Sequence, residues 1–148
     1  MPNLSPKLVA FSHEVVEIMP LILREFGKRE HNDLVRGNIT FPQMITLHYL
    51  SQKHHIKMSE LAKILFIKLS STTVIMDRLV QQKMVERTRD EEDRRVVWMS
   101  ITPKGRKVIS KIMEEKRHSI REIFKALSEK ERTQYLSVLR KVRDHILA

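Results

Sequence analysis

The chain contains no cysteine, only three glycines and five prolines, and few aromatic residues: one tryptophan, two tyrosines and five phenylalanines among 148 positions. Without cysteine there is no disulfide, no thiolate metal ligand and no thiol redox switch. The scarcity of glycine and proline leaves room for long helices. No apolar run approaches the ~20 residues that cross a bilayer. The opening MPNLSPKLVAFSHEV also lacks the apolar segment of a secretory signal. A helix lying on a membrane surface needs aromatic residues on its apolar face, but the single tryptophan, Trp98, falls in a β-type run instead. A glycine-rich phosphate loop, a nucleophile elbow and an HExxH motif are all missing. The expectation is a soluble cytoplasmic protein that is no enzyme, holds no cofactor and has no membrane partner.

What the chain does have is a formal charge of +10, with 41% of its residues apolar. A chain of this length and make-up folds as one domain with a substantial core. Its cationic excess points to a polyanion, nucleic acid before anionic membrane. The charge is uneven: residues 1–52 are net zero, 53–104 carry +4 and 105–148 carry +6. Part of the C-terminal excess reads as a solvated helix face.

Leu8, Phe11, Val15, Ile18, Met19, Ile22 and Phe26 recur at helical spacing and predict a first helix over 5–27. Pro20 lies inside it and is expected to kink it, since an interior proline costs roughly 3 kcal/mol. Residues 27–38 read as a polar connection. Thr40-Phe41-Pro42-Gln43 combines a capping box with proline in the first turn, so a second helix runs to about 52 and buries Met44, Leu47 and Leu50. His54-His55 fall in the turn that follows. A short third helix over 59–65 leads into a fourth over 70–82, which turns Thr72, Ile75, Met76 and Leu79 inward. Its outward face carries Ser70, Ser71, Thr73, Val74, Asp77, Arg78 and Gln81. That face is small and hydroxylated at its N-terminal end. It suits close approach to base edges, with Thr73 and Val74 for thymine methyl groups.

Two β-type runs over 84–89 and 96–101 then flank a charged tip at 90–95, and Thr102-Pro103 opens a fifth helix to about 127. A second capping box, Ser128 with Glu131, starts a sixth helix to 147 whose stripe is Tyr135, Leu136, Leu139, Val142 and Ile146. Two short helices followed by a ribbon tipped with Arg94 and Arg95 is the layout of a winged helix-turn-helix. Such a ribbon can lie along DNA and push an arginine into a narrow minor groove. The terminal helices carry more apolar surface than the small lobe can cover. With the first helix they are expected to form a dimer interface, the alternative being a single intramolecular bundle.

The segment DRRVVWMSITPKG over 93–105 is similar to the wing signature of the MarR family of bacterial transcriptional regulators: an acidic residue, arginines, a strand, Leu-Thr and a glycine, with Ile101 in place of the leucine. ITFPQMITLHYL, SELAKIL and LVQQKMVER resemble that family's second helix, third helix and helix-to-wing segment, so the resemblance covers nearly the whole chain. Three departures stand out. Lys83 replaces the glycine usual at the end of the recognition helix, Val74 replaces a residue often polar or basic, and Pro20 is unusual in the first helix.

The resemblance implies a mainly α fold with a small β-hairpin wing (α+β) in one domain over 1–148. A winged helix-turn-helix lobe would occupy 41–103, and a helical dimerisation region 1–40 and 104–148. It implies a homodimer on double-stranded DNA, reading a pseudo-palindromic operator with half-sites one helical turn apart, as a repressor relieved by a small aromatic or phenolic effector. The DNA-contacting residues would be Lys68, Ser70, Ser71, Thr73, Val74, Arg78, Arg94 and Arg95, with Asp93 orienting Arg95. Arg106, Lys107 and Lys53 are weaker phosphate candidates. Arg78 has a competing role as the surface ion-pair partner of Asp77 or Asp90. An effector pocket would draw on Met19, Leu23, Phe26, His48 and Met113, all of which also fit an ordinary core. Some relatives sense zinc, and Glu114, Glu115 and His118 share a helical face to which His13, His48, His54 or His55 would have to add a ligand; an exposed charged face is the favoured reading, and no metal site is expected. The alternative function is a winged-helix protein that binds nucleic acid non-specifically or serves protein assembly without ligand control.

Overall fold

The computed structural model describes residues 4–148 as α1 (Pro6–Arg29), α2 (Phe41–Gln52), β1 (Ile56–Lys57), α3 (Met58–Leu65), α4 (Leu69–Gln81), β2 (Val85–Arg89), β3 (Val97–Ile101), α5 (Pro103–Phe124) and α6 (Glu129–Leu147). The mainly helical α+β class expected from the sequence is the one observed, with one addition. The turn expected at His54-His55 stands outside any helix or strand, and a third strand, which periodicity does not show, follows it at Ile56–Lys57. Ile56 pairs with Met99 and Lys57 with Trp98, giving an antiparallel sheet in the order β1-β3-β2. A strand of two residues is too short to show alternation. α1 runs through Pro20 without interruption.

Both expected capping boxes form. Thr40 accepts from the Gln43 N–H at 3.4 Å while Gln43 Oε1 accepts from the Thr40 N–H at 2.8 Å. Ser128 and Glu131 exchange the same pair of bonds. Each box satisfies two N–H groups that a helix start leaves without partners.

The core is built from α2 through β3 together with the first half of α5. Leu47 and Leu50 from α2, Leu61 from α3, Met76 and Leu79 from α4, Met99 from β3 and Ile109 and Ile112 from α5 form one buried cluster closed by Ile39, Ile56, Met84 and Val85. Removing each such side chain from water contributes about 1.5–3 kcal/mol. By contrast, α1 and α6 bury no residue at all. Leu8, Phe11, Ile18, Leu136, Leu139, Val142 and Ile146 all remain open to solvent in the single chain. Phe124 and Tyr135 stack across the α5–α6 turn with ring centroids 5.1 Å apart.

The two helices of the helix-turn-helix end in the same way. At α3, the Phe66 N–H donates to Lys63 O and the Ile67 N–H to Ala62 O; at α4, the Lys83 N–H donates to Val80 O and the Met84 N–H to Leu79 O. This is the paired closure that places its central residue in the left-handed region and favours glycine there. Here those residues are Phe66 (φ 53°) and Lys83 (φ 58°). Each accepts a cost of roughly 1 kcal/mol for a side chain in that conformation.

Beyond Lys83 the chain closes on itself. The Thr102 hydroxyl donates to the Lys83 carbonyl at 2.7 Å and accepts from the Gly105 N–H at 3.1 Å, so one side chain both caps α5 and pins the end of α4. Gly105 lies against this joint: a Cβ there would overlap the Met84 carbonyl and crowd Ile101. Its glycine is a matter of space, which sets where α5 leaves the ribbon.

The polar connection over 27–38 holds more than a solvated loop. Glu30 is 3% exposed and its carboxylate meets the Lys116 ammonium at 3.2 Å. Buried Asn32 donates to Glu30 and Glu115 and accepts from the Leu34 and Val35 N–H groups. This network fastens the C-terminal end of α1 to the middle of α5 and satisfies polar groups that would be costly to bury alone.

Candidate nucleic-acid interface

Thr72, Met76 and Leu79 are buried on α4, and Ile75 is half-buried against the core. That burial turns Lys68, Ser70, Ser71, Val74, Asp77 and Arg78 outward, with Thr73 at the margin. Val74, 56% exposed, therefore presents a bare apolar surface on the outward face of α4. The Thr73 hydroxyl donates back to Leu69 O at 3.0 Å. Arg78 enters no ion pair among the described residues: Asp77 is held by Arg87 at 2.6 Å, and Asp90 accepts from the Trp98 indole N–H at 2.9 Å.

The wing tip is built by two aspartates. Asp90 accepts from the Glu92 and Asp93 N–H groups as well as from Trp98. The Trp98 indole, followed by those backbone donors, holds its carboxyl below the usual aspartate range. Asp93 accepts from both the backbone N–H and the guanidinium of Arg95, at 3.1 Å each, and these bonds lower its own carboxyl in turn. The Arg95 side chain is still 91% exposed. It is aimed but not covered. Trp98 is further braced by the His55 ring, edge-on at 4.4 Å, and by the Lys57 ammonium 5.2 Å from its centre.

Between α4 and the ribbon lies a cleft of about 490 Å³, lined by Leu69 and Thr73 on one side and by Lys57, Arg87, Arg89 and Arg95 on the other. Lys57, Arg87 and Arg89 are not among the residues picked out from the sequence. Arg87 and Arg89 stand two apart on one strand and so project to the same side, a signal legible in RTR once the run is read as a strand. Lys57 carries no such signal, because it depends on β1. Among the weaker phosphate candidates, Lys53 is tied to Glu60 at 3.3 Å, the Arg106 guanidinium donates to Ser51 O at 2.9 Å, and Lys107 is exposed.

The five effector-pocket candidates are not gathered in one place within the single chain. Leu23 and Phe26 line a crevice of about 240 Å³ with Glu30, Leu34, Lys116 and Ile120. Met19 lies in a separate groove along α1. Met113 packs on the core, and the His48 ring stands 3.1 Å from the Gln52 amide nitrogen. On the charged face of α5, Glu114 pairs with Arg117 and Arg121, while Glu115 accepts from the His31 N–H and from Asn32. No group of three potential metal ligands occurs among the described residues. No helix among them is long and apolar enough to cross a membrane.

Comparison with known proteins bears directly on this arrangement. Residues 34–112 match the model of the family described as transcriptional regulator SarA/Rot, a span that coincides closely with the buried lobe. The chain is 32% identical over 101 residues to the uncharacterized HTH-type transcriptional regulator YpoP of Bacillus subtilis, covering 66% of this chain and 72% of that protein. Its fold is shared with a MarR family protein from Bacillus stearothermophilus (TM-score 0.80, 23% identity, 99% of this chain and 100% of that one). The fold is also shared with a mutant of Escherichia coli MarR solved with operator DNA (TM-score 0.69, 23% identity, 95% and 98%). The chain belongs to the SarA/Rot family of transcriptional regulators, and its winged helix-turn-helix fold is the one seen in the MarR structures.

Proposed function

We propose that this regulator acts as a homodimer that reads a pseudo-palindromic operator, each α4 entering a major groove while each wing reaches the neighbouring minor groove. The observation that carries the reading is the cationic cleft between α4 and the ribbon, with the exposed Arg95 at its outer end. A groove of that kind, beside a helix whose outward face is small and hydroxylated, suits a sugar-phosphate strand passing between two base-reading elements. In this reading Lys68, Ser70, Ser71, Thr73, Val74 and Arg78 face base edges and the nearest phosphates. Arg94 and Arg95 serve the minor groove, and Lys57, Arg87 and Arg89 hold the backbone. A mutant of E. coli MarR that shares this fold was solved with operator DNA, which supports DNA as the partner.

The dimer is supported by the unburied apolar faces of α1 and α6, which lie outside the lobe's core. Two helices with this much exposed apolar surface need a partner, and a second copy supplies the same faces in return. Residues 41–103 then form the reading lobe, and 1–40 with 104–148 the dimerisation region. Repression follows from occupancy, since a dimer spanning two half-sites excludes other proteins from that stretch of DNA. For the effector, the crevice beside Leu23 and Phe26 combines apolar walls with the paired Lys116 and Glu30, a setting suited to a small aromatic acid or phenol that takes Lys116 from Glu30 or bonds to the pair.

A labelled duplex from the region upstream of the protein's own gene should bind at about 10⁻⁸ M or tighter, with affinity falling steeply as salt rises. Equal affinity for a scrambled duplex would reduce the activity to non-specific binding, and no binding at all would favour a role in protein assembly. In parallel, sedimentation should give twice the chain mass, and Leu139→Asp with Val142→Asp should shift it toward the monomer.

A further inference from the structure

Phe66 combines two unfavourable features. At 84% exposed, it is the most exposed of the large apolar side chains among the described residues, and its backbone is left-handed (φ 53°). A glycine would serve the α3–α4 turn better on both counts. Lys83 carries the same strain, so it is the combination with an exposed aromatic ring that sets Phe66 apart, and the inference runs from that outlier to a role. The surroundings indicate which one. Phe66 lines a shallow surface with Lys63, Ile67, Lys68 and Ser71, so an apolar ring shares one patch with two lysines and with Ser71 on the outward face of α4.

We propose that Phe66, flanked by Lys63 and Lys68, is a second DNA-contact site, in which the ring packs on a deoxyribose while the two lysines hold the adjoining phosphates. The inference rests on the orientation proposed above, and it adds a contact on the side of α4 opposite the wing. In a helix-turn-helix the first helix crosses the DNA backbone and the second enters the groove, so the turn between them lies over the groove edge. A sugar-phosphate strand offers the two chemistries this patch displays: an apolar sugar face, and anionic oxygens spaced along it. A protein partner with an acidic apolar surface would match the charge but not this placement beside Ser71.

The test uses the full-length chain and a duplex that the wild-type protein selects from a random-sequence library. Phe66→Gly relieves the left-handed strain, so thermal stability should stay the same or rise. Affinity for the selected duplex should fall about tenfold, with the slope of log affinity against log salt unchanged, because no charge is lost. Lys63→Gln with Lys68→Gln should instead lower that slope by nearly two. Hydroxyl-radical footprinting should show loss of sugar protection at the groove edge in Phe66→Gly, with protection at the wing contact retained. Opposite signs in stability and affinity separate a contact from a merely structural role. If Phe66→Gly binds as tightly as wild type, the site is overturned and the patch falls to a protein partner, while the DNA-binding reading stands. If the library yields no duplex for the wild-type chain, both readings fall together.

Discussion

The Asp77 carboxylate on α4 accepts a 2.6 Å hydrogen bond from the Arg87 guanidinium on β2, joining α4 to the ribbon beside the cationic cleft that Arg87 lines. Both side chains are well exposed, at 51% and 36%. As a source of stability such a pair contributes about 0.2–1 kcal/mol after screening. Its larger consequence is directional, because it fixes where the Arg87 charge sits.

Arg87→Ala should therefore cost little stability but lower the salt slope of DNA binding by about one. Asp77→Ala should leave that slope intact, since Arg87 keeps its charge. Salt titrations of both variants check this, and an unchanged slope in Arg87→Ala would remove Arg87 from the phosphate contacts.

Leu79 and Arg95 should separate folding from reading. Leu79 is fully buried under α4, and truncation to alanine should destabilise by roughly 2–5 kcal/mol. Arg95 touches little besides Asp93, so Arg95→Ala should leave the unfolding temperature nearly unchanged while weakening operator binding. Urea melts and binding isotherms on the same two variants decide the matter. A wild-type affinity and salt slope for Arg95→Ala would contradict the wing assignment.

The sequence makes the helices legible because their signals are local. The Thr40 and Ser128 boxes, the α4 stripe and the Asp93–Arg95 tip are all written within a few residues of one another. β1 is not legible, because two residues carry no period and Ile56 becomes a strand only by meeting Met99. The buried Glu30–Asn32–Glu115–Lys116 network is hidden for the same reason: its members are more than eighty positions apart and look like ordinary surface charges. Within the cleft, Arg95 follows from its tip. Lys57 follows only from the sheet, and Arg87 with Arg89 from their two-residue spacing once the run is read as a strand.

Acid should loosen the wing before the lobe. Asp90 is held below the usual aspartate range chiefly by the Trp98 indole, and Asp93 by Arg95. A carboxyl whose folded value is depressed stabilises fully above the ordinary aspartate range, and that contribution is lost as pH falls through the depressed value. The Trp98 indole N–H resonance should thus hold steady from neutrality and move only below the ordinary aspartate range. Asp90→Asn should abolish that step. A Trp98 transition at or above the ordinary range would show that these bonds do not hold in solution.

The joint between α4, the ribbon and α5 gives the sharpest contrast in sign. Lys83 is exposed and left-handed, and its carbonyl receives the Thr102 hydroxyl, which glycine would leave in place. Lys83→Gly should then stabilise by up to about 1 kcal/mol: relief of the left-handed strain is partly offset by the greater freedom glycine gives the unfolded chain. Gly105 has no such freedom to change, because any Cβ meets the Met84 carbonyl, a backbone atom fixed by the same joint. Gly105→Ala should destabilise by about 1–3 kcal/mol or more as α5 is pushed off the ribbon. Equilibrium urea unfolding of both variants measures the difference. A neutral Gly105→Ala would mean that the Thr102 cap and the Met84 turn are free to shift, and that α5 is not held where the lobe now places it.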